Sequence, residues 1–224
     1  MYCRLCRDVM KVPLLFSNIF KPSPIICQSC LSNLERVEGG CLNCGKKTIE
    51  VYCEDCQYWK ETGVVIKQYA LYYYNEFVKS LIEQVKYNGD LRVLQSFRYE
   101  VKRFYKRVII KSGFKPDVAV PVPLSQRKYT NRGFNQAMVI AKFLPCPIDD
   151  ALIKTHDFTQ SQRSRKERLS ASGDFKLKES IDLRGKHVLI VDDIYTTGST
   201  IHQIASLLQS TNPSEIRSFT LFRS

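Results

Sequence analysis

Several things are scarce in this chain. Of its 224 residues, one is tryptophan, three are methionine and three are histidine. The histidines, His156, His187 and His202, read as ordinary surface or core residues rather than catalysts. Long apolar runs are missing too. The longest early one, VPLLFSNIF at 12–20, is too short to cross a bilayer. The N-terminus, MYCRLCRDVM, lacks the apolar stretch of a signal peptide. A cytoplasmic location is expected, with the inner membrane face reached only through partners or charge.

Acids are also in deficit. Asp and Glu number 22 against 34 Lys and Arg, a net charge of +12. Such a balance suits anionic partners: nucleic acid, phosphorylated metabolites or acidic lipid. Residues 1–60 hold 8 bases against 6 acids, and the remainder 26 against 16. The basic character therefore belongs to the larger part.

Cysteine is nearly absent after residue 56. Only Cys146 follows, in LPCPIDD, and it reads as a packed or loop thiol. The other eight form four CxxC pairs: Cys3/Cys6, Cys27/Cys30, Cys41/Cys44 and Cys53/Cys56. A CxxC turn aims two thiolates at one point, and two such turns complete a tetrahedral sulfur cage suited to zinc. A cytosolic setting disfavours disulfides, and the repeats lack the βαβ context of a thioredoxin-like pair. Two zinc ions are expected. Sequential pairing would place Cys3, Cys6, Cys27 and Cys30 on one ion and Cys41, Cys44, Cys53 and Cys56 on the other. An interleaved cross-brace stays open on spacing alone. Gly45 fits the turn that lets backbone amides face the sulfurs. Large apolar residues are few here, so metal binding is expected to fold residues 1–60 as a double zinc-ribbon domain. Its role is structural or docking, since no open coordination position is implied.

Residues 61–224 carry a different pattern. VIKQYALYYY (65–74) is β-branched and aromatic, as strands are. NEFVKSLIEQVKY has the apolar spacing of a helix face and ends at the turn Asn88-Gly89. LRVLQSFRYEVKRFYKRVII (91–110) predicts one helix with Lys102, Arg103, Lys106 and Arg107 on its exposed side. DVAVPVP (117–123) predicts a buried strand stopped by prolines, and RGFNQAMVIAKFL a helix after a glycine turn. HVLIVDD (187–193) is a continuous apolar strand, GSTIHQIASLLQS a helix and EIRSFTLF a strand. Strands alternating with helices imply an α/β domain with a doubly wound parallel sheet.

One stretch carries chemistry: VLIVDDIYTTGST, 188–200. A buried parallel strand ends at an acid pair, where open α/β sheets bind ligands. The following loop opens a helix. Its amides, with the hydroxyls of Thr196, Thr197, Ser199 and Thr200, make an anion cradle. Gly198 would let the backbone approach a phosphate closely. Asp192 and Asp193 would repel a phosphate but suit sugar hydroxyls or Mg²⁺. A phosphate place beside a diol place matches a ribose 5-phosphate.

This stretch resembles the phosphoribosyl pyrophosphate (PRPP) motif of type I phosphoribosyltransferases. The resemblance implies ribose contacts from Asp192 and Asp193. It implies phosphate contacts from Thr196, Thr197, Gly198, Ser199 and Thr200. The multi-CxxC N-terminus, PDVAVPVPLSQRKYTNRGFNQA at 116–137 and the basic stretch TQSQRSRKERLSASGDF make the whole chain similar to the ComF family. That likeness implies a part in natural transformation, helping single-stranded DNA cross the cytoplasmic membrane with a ComFA-like DEAD-box ATPase.

Three functions compete. In a DNA-uptake accessory, Arg127, Lys128, Tyr129, Arg132 and Phe134, with Arg163, Arg165, Lys166 and Arg168, would supply the positive groove and aromatic platforms that single strands need. In a Mg²⁺-dependent phosphoribosyltransferase, Arg127, Arg132 and Arg168 would stabilise departing pyrophosphate. No segment reads as a hood for a nucleobase, which counts against turnover. A zinc-ribbon module with a decayed passenger domain would have lost its acid pair or its glycine, and this chain keeps both.

Overall fold

The computed structural model describes residues 1–10, 25–155, 174–179 and 181–224. Helix α1 (Gln28–Ser32) and helix α2 (Glu54–Glu61) belong to the cysteine-rich part. Strand β1 (Lys67–Tyr73) leads to α3 (Glu76–Asn88), α4 (Leu91–Ser96) and α5 (Arg98–Phe104). Strand β2 (Val118–Pro121), α6 (Gln126–Arg132) and α7 (Gln136–Ala141) follow. Short strands β3 (Leu152–Lys154) and β4 (Phe175–Leu177) pair antiparallel. Strand β5 (His187–Tyr195), α8 (Ser199–Gln209) and β6 (Glu215–Arg223) complete the order.

The main sheet is parallel throughout, ordered β1-β6-β5-β2. Helices cover both faces. Leu189 and Val191 of β5 share one buried cluster with Val78, Leu81, Ile82 and Val85 of α3. Val188 and Ile190 share the other with Ile201, Ile204, Ala205 and Leu208 of α8. A strand buried on both faces must be apolar at every position, which explains the unbroken run before Asp192.

Capping residues set the helix ends. The Asn75 side chain accepts from the Val78 amide (2.9 Å), and Gly89 ends α3 with φ 66°, a left-handed conformation that favours glycine. Asn135 accepts from the Ala137 amide (2.9 Å) and donates to the Val122 carbonyl (2.9 Å), tying α7 to the end of β2.

Residues 91–110 do not form one helix. The run divides into α4 and α5, then a π-helical turn at Tyr105–Ile109 and a 3₁₀ turn at Ile110–Ser112. Phe97 sits at the break, 1% exposed, its ring 5.9 Å from Tyr72 and 5.6 Å from Phe222. Burying that ring between two strands sets the direction of the chain there. Lys102, Arg103, Lys106 and Arg107 are exposed.

Both sheet edges are covered. Residues Glu35–Val37 run along the outer side of β1, with the Val37 amide on the Leu71 carbonyl (3.1 Å) and the Tyr73 amide on the Glu35 carbonyl (2.8 Å). Beside β2, the Ala119 amide bonds the Pro147 carbonyl (2.8 Å) and the Asp149 amide the Ala119 carbonyl (3.0 Å). Covered edges cannot template pairing with another chain.

Packing crosses the expected division at residue 60. Cys3, Leu5, Ile26, Cys30 and Leu34 lie in the cluster of α3, and Cys41, Cys44, Cys53 and Cys56 in that of α8. Metal is therefore not the only thing holding residues 1–60 in place. Ile190 is 0% exposed at the centre of the α8 cluster. Ile190→Ala is expected to cost about 2–5 kcal/mol. Urea unfolding should show a lower midpoint at unchanged slope.

Candidate functional site

The acid pair stands at the carboxyl end of β5. The Asp193 amide donates to Asp192 Oδ1 (2.8 Å) and the Ile194 amide to Asp193 Oδ1 (3.0 Å). Lys86, from α3, forms an ion pair with Asp193, Nζ to Oδ2 at 3.2 Å. Burial opposes ionisation of Asp193, but the Lys86 ammonium holds its carboxyl below the ordinary value. Burial and the neighbouring Asp193 push Asp192 well above it. One acid is thus kept charged while the other readily accepts a proton. Arg132 at the end of α6 joins this group: burial lowers its pKa, and attraction to Asp193 opposes that.

Beyond the pair, the backbone turns into α8 through Gly198, φ 85°. A Cβ there would collide with Tyr195 Oη and lie 2.6 Å from Tyr195 Cζ. The left-handed backbone and the tyrosine ring packed against the loop each call for glycine here.

Four successive carbonyls are held from inside the protein. Tyr195 O receives Arg223 Nη1 (3.2 Å) and the Ser224 amide (3.0 Å), and Thr196 O receives Arg223 Nη1 (2.9 Å). Thr197 O receives Trp59 Nε1 (2.7 Å), and Gly198 O receives His202 Nδ1 (2.9 Å). In a trans peptide the N–H points opposite to the C=O. The amides of Thr196, Thr197, Gly198 and Ser199 are therefore turned away from these inner partners, at the N-terminus of an eleven-residue helix. Several buried polar atoms here have no hydrogen-bond partner within the protein: Thr197 Oγ1, Tyr195 Oη and His202 Nε2. Buried hydroxyls are normally satisfied, so Thr197 Oγ1 is an unmet hydrogen-bonding group beside the loop. Thr196 is exposed, Ser199 is buried and accepts from Gln203 Nε2 (3.0 Å), and Thr200 is half-buried.

The cysteines assemble as two tetrads, Cys3/Cys6/Cys27/Cys30 and Cys41/Cys44/Cys53/Cys56, the sulfurs of each within 4.8 Å of one another. This is the sequential pairing. The Cys3–Cys30, Cys6–Cys27 and Cys44–Cys53 sulfurs lie 3.8, 3.7 and 3.6 Å apart. A tetrahedron with Zn–S bonds of about 2.3 Å has edges of about 3.8 Å, so the donor sets fit a metal of that size. Backbone amides also point at sulfur: Cys27 N to Cys3 Sγ at 3.3 Å, Cys30 N to Cys27 Sγ at 3.4 Å and Cys53 N to Cys41 Sγ at 3.4 Å. Gly45 sits against Val37, where a Cβ would come within 2.6 Å of its side chain. Arg7 ties the first tetrad to the start of α4 through Asp90 (2.7 Å).

The sequence-predicted bases separate. Arg132 comes near the acid pair. Arg127 and Lys128 stand on α6, a helix where the sequence offered only a basic aromatic stretch. Arg163, Arg165, Lys166 and Arg168 lie outside the described residues, as does His156. A groove of about 480 Å³ runs between α6, α7 and the β3–β4 hairpin, lined by Tyr129, Phe134, Lys142, Lys154 and Lys178 among others. Cys146 is half-buried against the α3 cluster, and burial pushes its thiol up to about 11. Among the described residues, no helix is long and apolar enough to cross a membrane.

A family profile described as phosphoribosyl transferase domain matches residues 95–224. Competence protein ComFC of Streptococcus pneumoniae is 33% identical over the full length of both chains. The chain belongs to the ComFC family. Competence protein ComFC of Bacillus subtilis is 31% identical, covering 99% of this chain and 95% of that one. DNA utilization protein YhgH of Escherichia coli is 35% identical over 48% of this chain and 50% of its own length.

Four residues of the site escape sequence reasoning in this ComFC-family chain: Lys86, Trp59, His202 and Arg223. His202 appears as one polar position on an apolar helix face. Trp59, the single tryptophan, offered only its rarity as a signal. His202 is 1% exposed, and burial lowers its pKa to about 4, with the Gly198 hydrogen bond opposing. The imidazole is therefore neutral, and its Nδ1 carries the proton it gives to Gly198 O. A folded pKa below the unfolded value of about 6.5 means that stability is full above about pH 6.5 and declines as pH falls toward 4. Thermal unfolding of His202→Gln should show a shallower loss between pH 6.5 and 4.5 than the unaltered protein. Equal slopes would remove His202 as the source.

Proposed function

We propose that this protein serves DNA uptake in competent cells. It would do so as an accessory with a phosphoribosyl-binding pocket and a basic surface, rather than chiefly as a turnover enzyme. The observation that carries this reading is the loop at 195–199, whose amides are turned outward beside an acid pair. In it, Asp192 and Asp193 hold ribose hydroxyls, and Thr196, Thr197, Gly198, Ser199 and Thr200 hold the 5-phosphate. The names of the full-length relatives support the competence role. Single-stranded DNA is the natural anionic partner for a chain of net charge +12. The groove carrying Tyr129, Phe134, Lys142 and Lys154, with Lys178 paired to Asp150 at 2.6 Å, offers stacking faces and charge. Arg127, Lys128 and Arg132 on α6 add charge beside it, and Arg163, Arg165 and Arg168 are further candidate contacts from the sequence. A ComFA-like DEAD-box ATPase is the expected motor, with residues 1–60 as its docking platform, at the cytoplasmic face of the membrane.

Phosphoryl-ribose transfer from PRPP with Mg²⁺ is the second reading, favoured by the intact acid pair. Lys86 already neutralises Asp193, which lessens the demand for a divalent cation and favours binding over turnover.

Zinc is the metal we assign to the tetrads, since four thiolates and no open position make a structural site. Native mass spectrometry should record two zinc ions per chain, and Cys6→Ser should leave one. Eight freely alkylatable, metal-free thiols in residues 1–60 of freshly isolated protein would refute the assignment.

Calorimetry tests the pocket. PRPP, with and without Mg²⁺, and a short single-stranded DNA are titrated into the protein and into the Asp192→Asn/Asp193→Asn double variant. The double variant should bind PRPP more weakly by about tenfold or more, the loss of the charged hydrogen-bond acceptor at Asp193. DNA affinity should fall steeply with salt and show little sequence preference. Binding of DNA with no binding of PRPP would end the phosphoribosyl reading.

A further inference from the structure

The contacts between the second cysteine tetrad and the loop serve neither metal binding nor ligand contact by themselves. Trp59 stands three residues after Cys56 on α2. Its indole N–H holds the Thr197 carbonyl at 2.7 Å. Its ring lies flat on His202, centroids 4.2 Å apart and planes 7° apart, and His202 holds the Gly198 carbonyl. From the other side comes Arg223, 1% exposed. Its guanidinium donates to the Cys44 carbonyl (3.0 Å), to Cys44 Sγ (3.2 Å) and to the Tyr195 and Thr196 carbonyls (3.2 and 2.9 Å). Each carbonyl from 195 to 198 is thus gripped by a side chain that belongs to the cysteine unit, bonds to it or stacks on it.

A guanidinium keeps its charge when buried, so it must keep its acceptors. Two of those acceptors are on Cys44, two are on the loop and one is the Ser224 carbonyl. If the tetrad opens, the Cys44 acceptors and the anchorage of α2 go together, and the loop carbonyls lose Trp59 and the Cys44 part of the seating of Arg223.

We propose that Trp59 and Arg223 are positioning residues that couple the second tetrad to the loop, so that an intact tetrad raises the pocket's affinity for a phosphorylated ribose. This rests on the phosphoribosyl reading of the pocket. Coupling between two sites is reciprocal: a ligand that fixes the loop must hold the tetrad closed by the same factor. The first tetrad has no such contacts with the loop among the described residues and serves as an internal control.

Ribose 5-phosphate is the probe, and the intact zinc-loaded chain is the sample. Its binding is measured first by calorimetry. Alkylation by N-ethylmaleimide is then followed by peptide mapping, with and without the probe. The probe should slow modification of Cys41, Cys44, Cys53 and Cys56 several-fold and leave Cys3, Cys6, Cys27 and Cys30 unchanged. Emission from Trp59, the single tryptophan, should shift on binding. Trp59→Phe keeps an aromatic ring on His202 but lacks the N–H. It should weaken binding about threefold to tenfold, the worth of one hydrogen bond, and shrink the protection by the same factor, with both zinc ions retained. Arg223→Lys, which keeps charge but cannot span Cys44 and Thr196 together, should act in the same direction. Binding without protection, or with equal protection of both tetrads, would overturn the coupling and leave the pocket standing. Absence of ribose 5-phosphate binding would remove the pocket reading and the coupling with it.

Discussion

A peptide carbonyl that leaves a sheet and stays buried must find a donor, and residues 195–198 present four in succession. Two of their donors come from elsewhere in the chain, Trp59 on α2 and Arg223 at the end of β6, and the third, His202, lies one turn into α8. Satisfying the carbonyls inward fixes the amides outward, and that orientation is what an anion can use. Because β6 lies beside β5, Arg223 ends opposite Tyr195 and can reach two loop carbonyls and the cysteine unit at once.

Charge at the site is balanced before any ligand arrives. Asp192 and Asp193 would be an unfavourable buried pair without help. Lys86 supplies one positive charge at 3.2 Å from Asp193, and Arg132 adds another nearby. The cation therefore comes from the helix that follows β1, where a metal would otherwise have to supply it. Balancing the acid pair with protein groups leaves the adjoining loop less repulsive to an anion.

What the amino-acid pattern announced and what it hid have a common physical basis. Strand β5 is readable because burial on both faces leaves a run of apolar residues, and the tetrads are readable because CxxC turns are local. The acid pair and TTGST loop are contiguous, so their chemistry shows in one line of sequence. Trp59 and Thr197 are 138 residues apart, and Cys44 and Arg223 are 179 apart. No periodicity records such meetings. The single helix expected over 91–110 fails for a related reason: Phe97 answers to Tyr72 and Phe222 on the sheet, not to its helical neighbours. Helix α6 is short, with no buried residue to mark it.

The long separation between Cys44 and its buried partner on β6 has a consequence in time. The thiols of the second tetrad are made well before the arginine that seats them. At about 5–20 residues per second, the interval on the ribosome is roughly ten to thirty seconds. Through that interval the four sulfurs have neither β6 nor the loop to pack against. Loading of their metal must therefore either precede the sheet, with the filled cage acting as a preformed template for β6, or wait until Arg223 has emerged. The order of those two events decides whether the growing chain exposes reactive thiols to its surroundings.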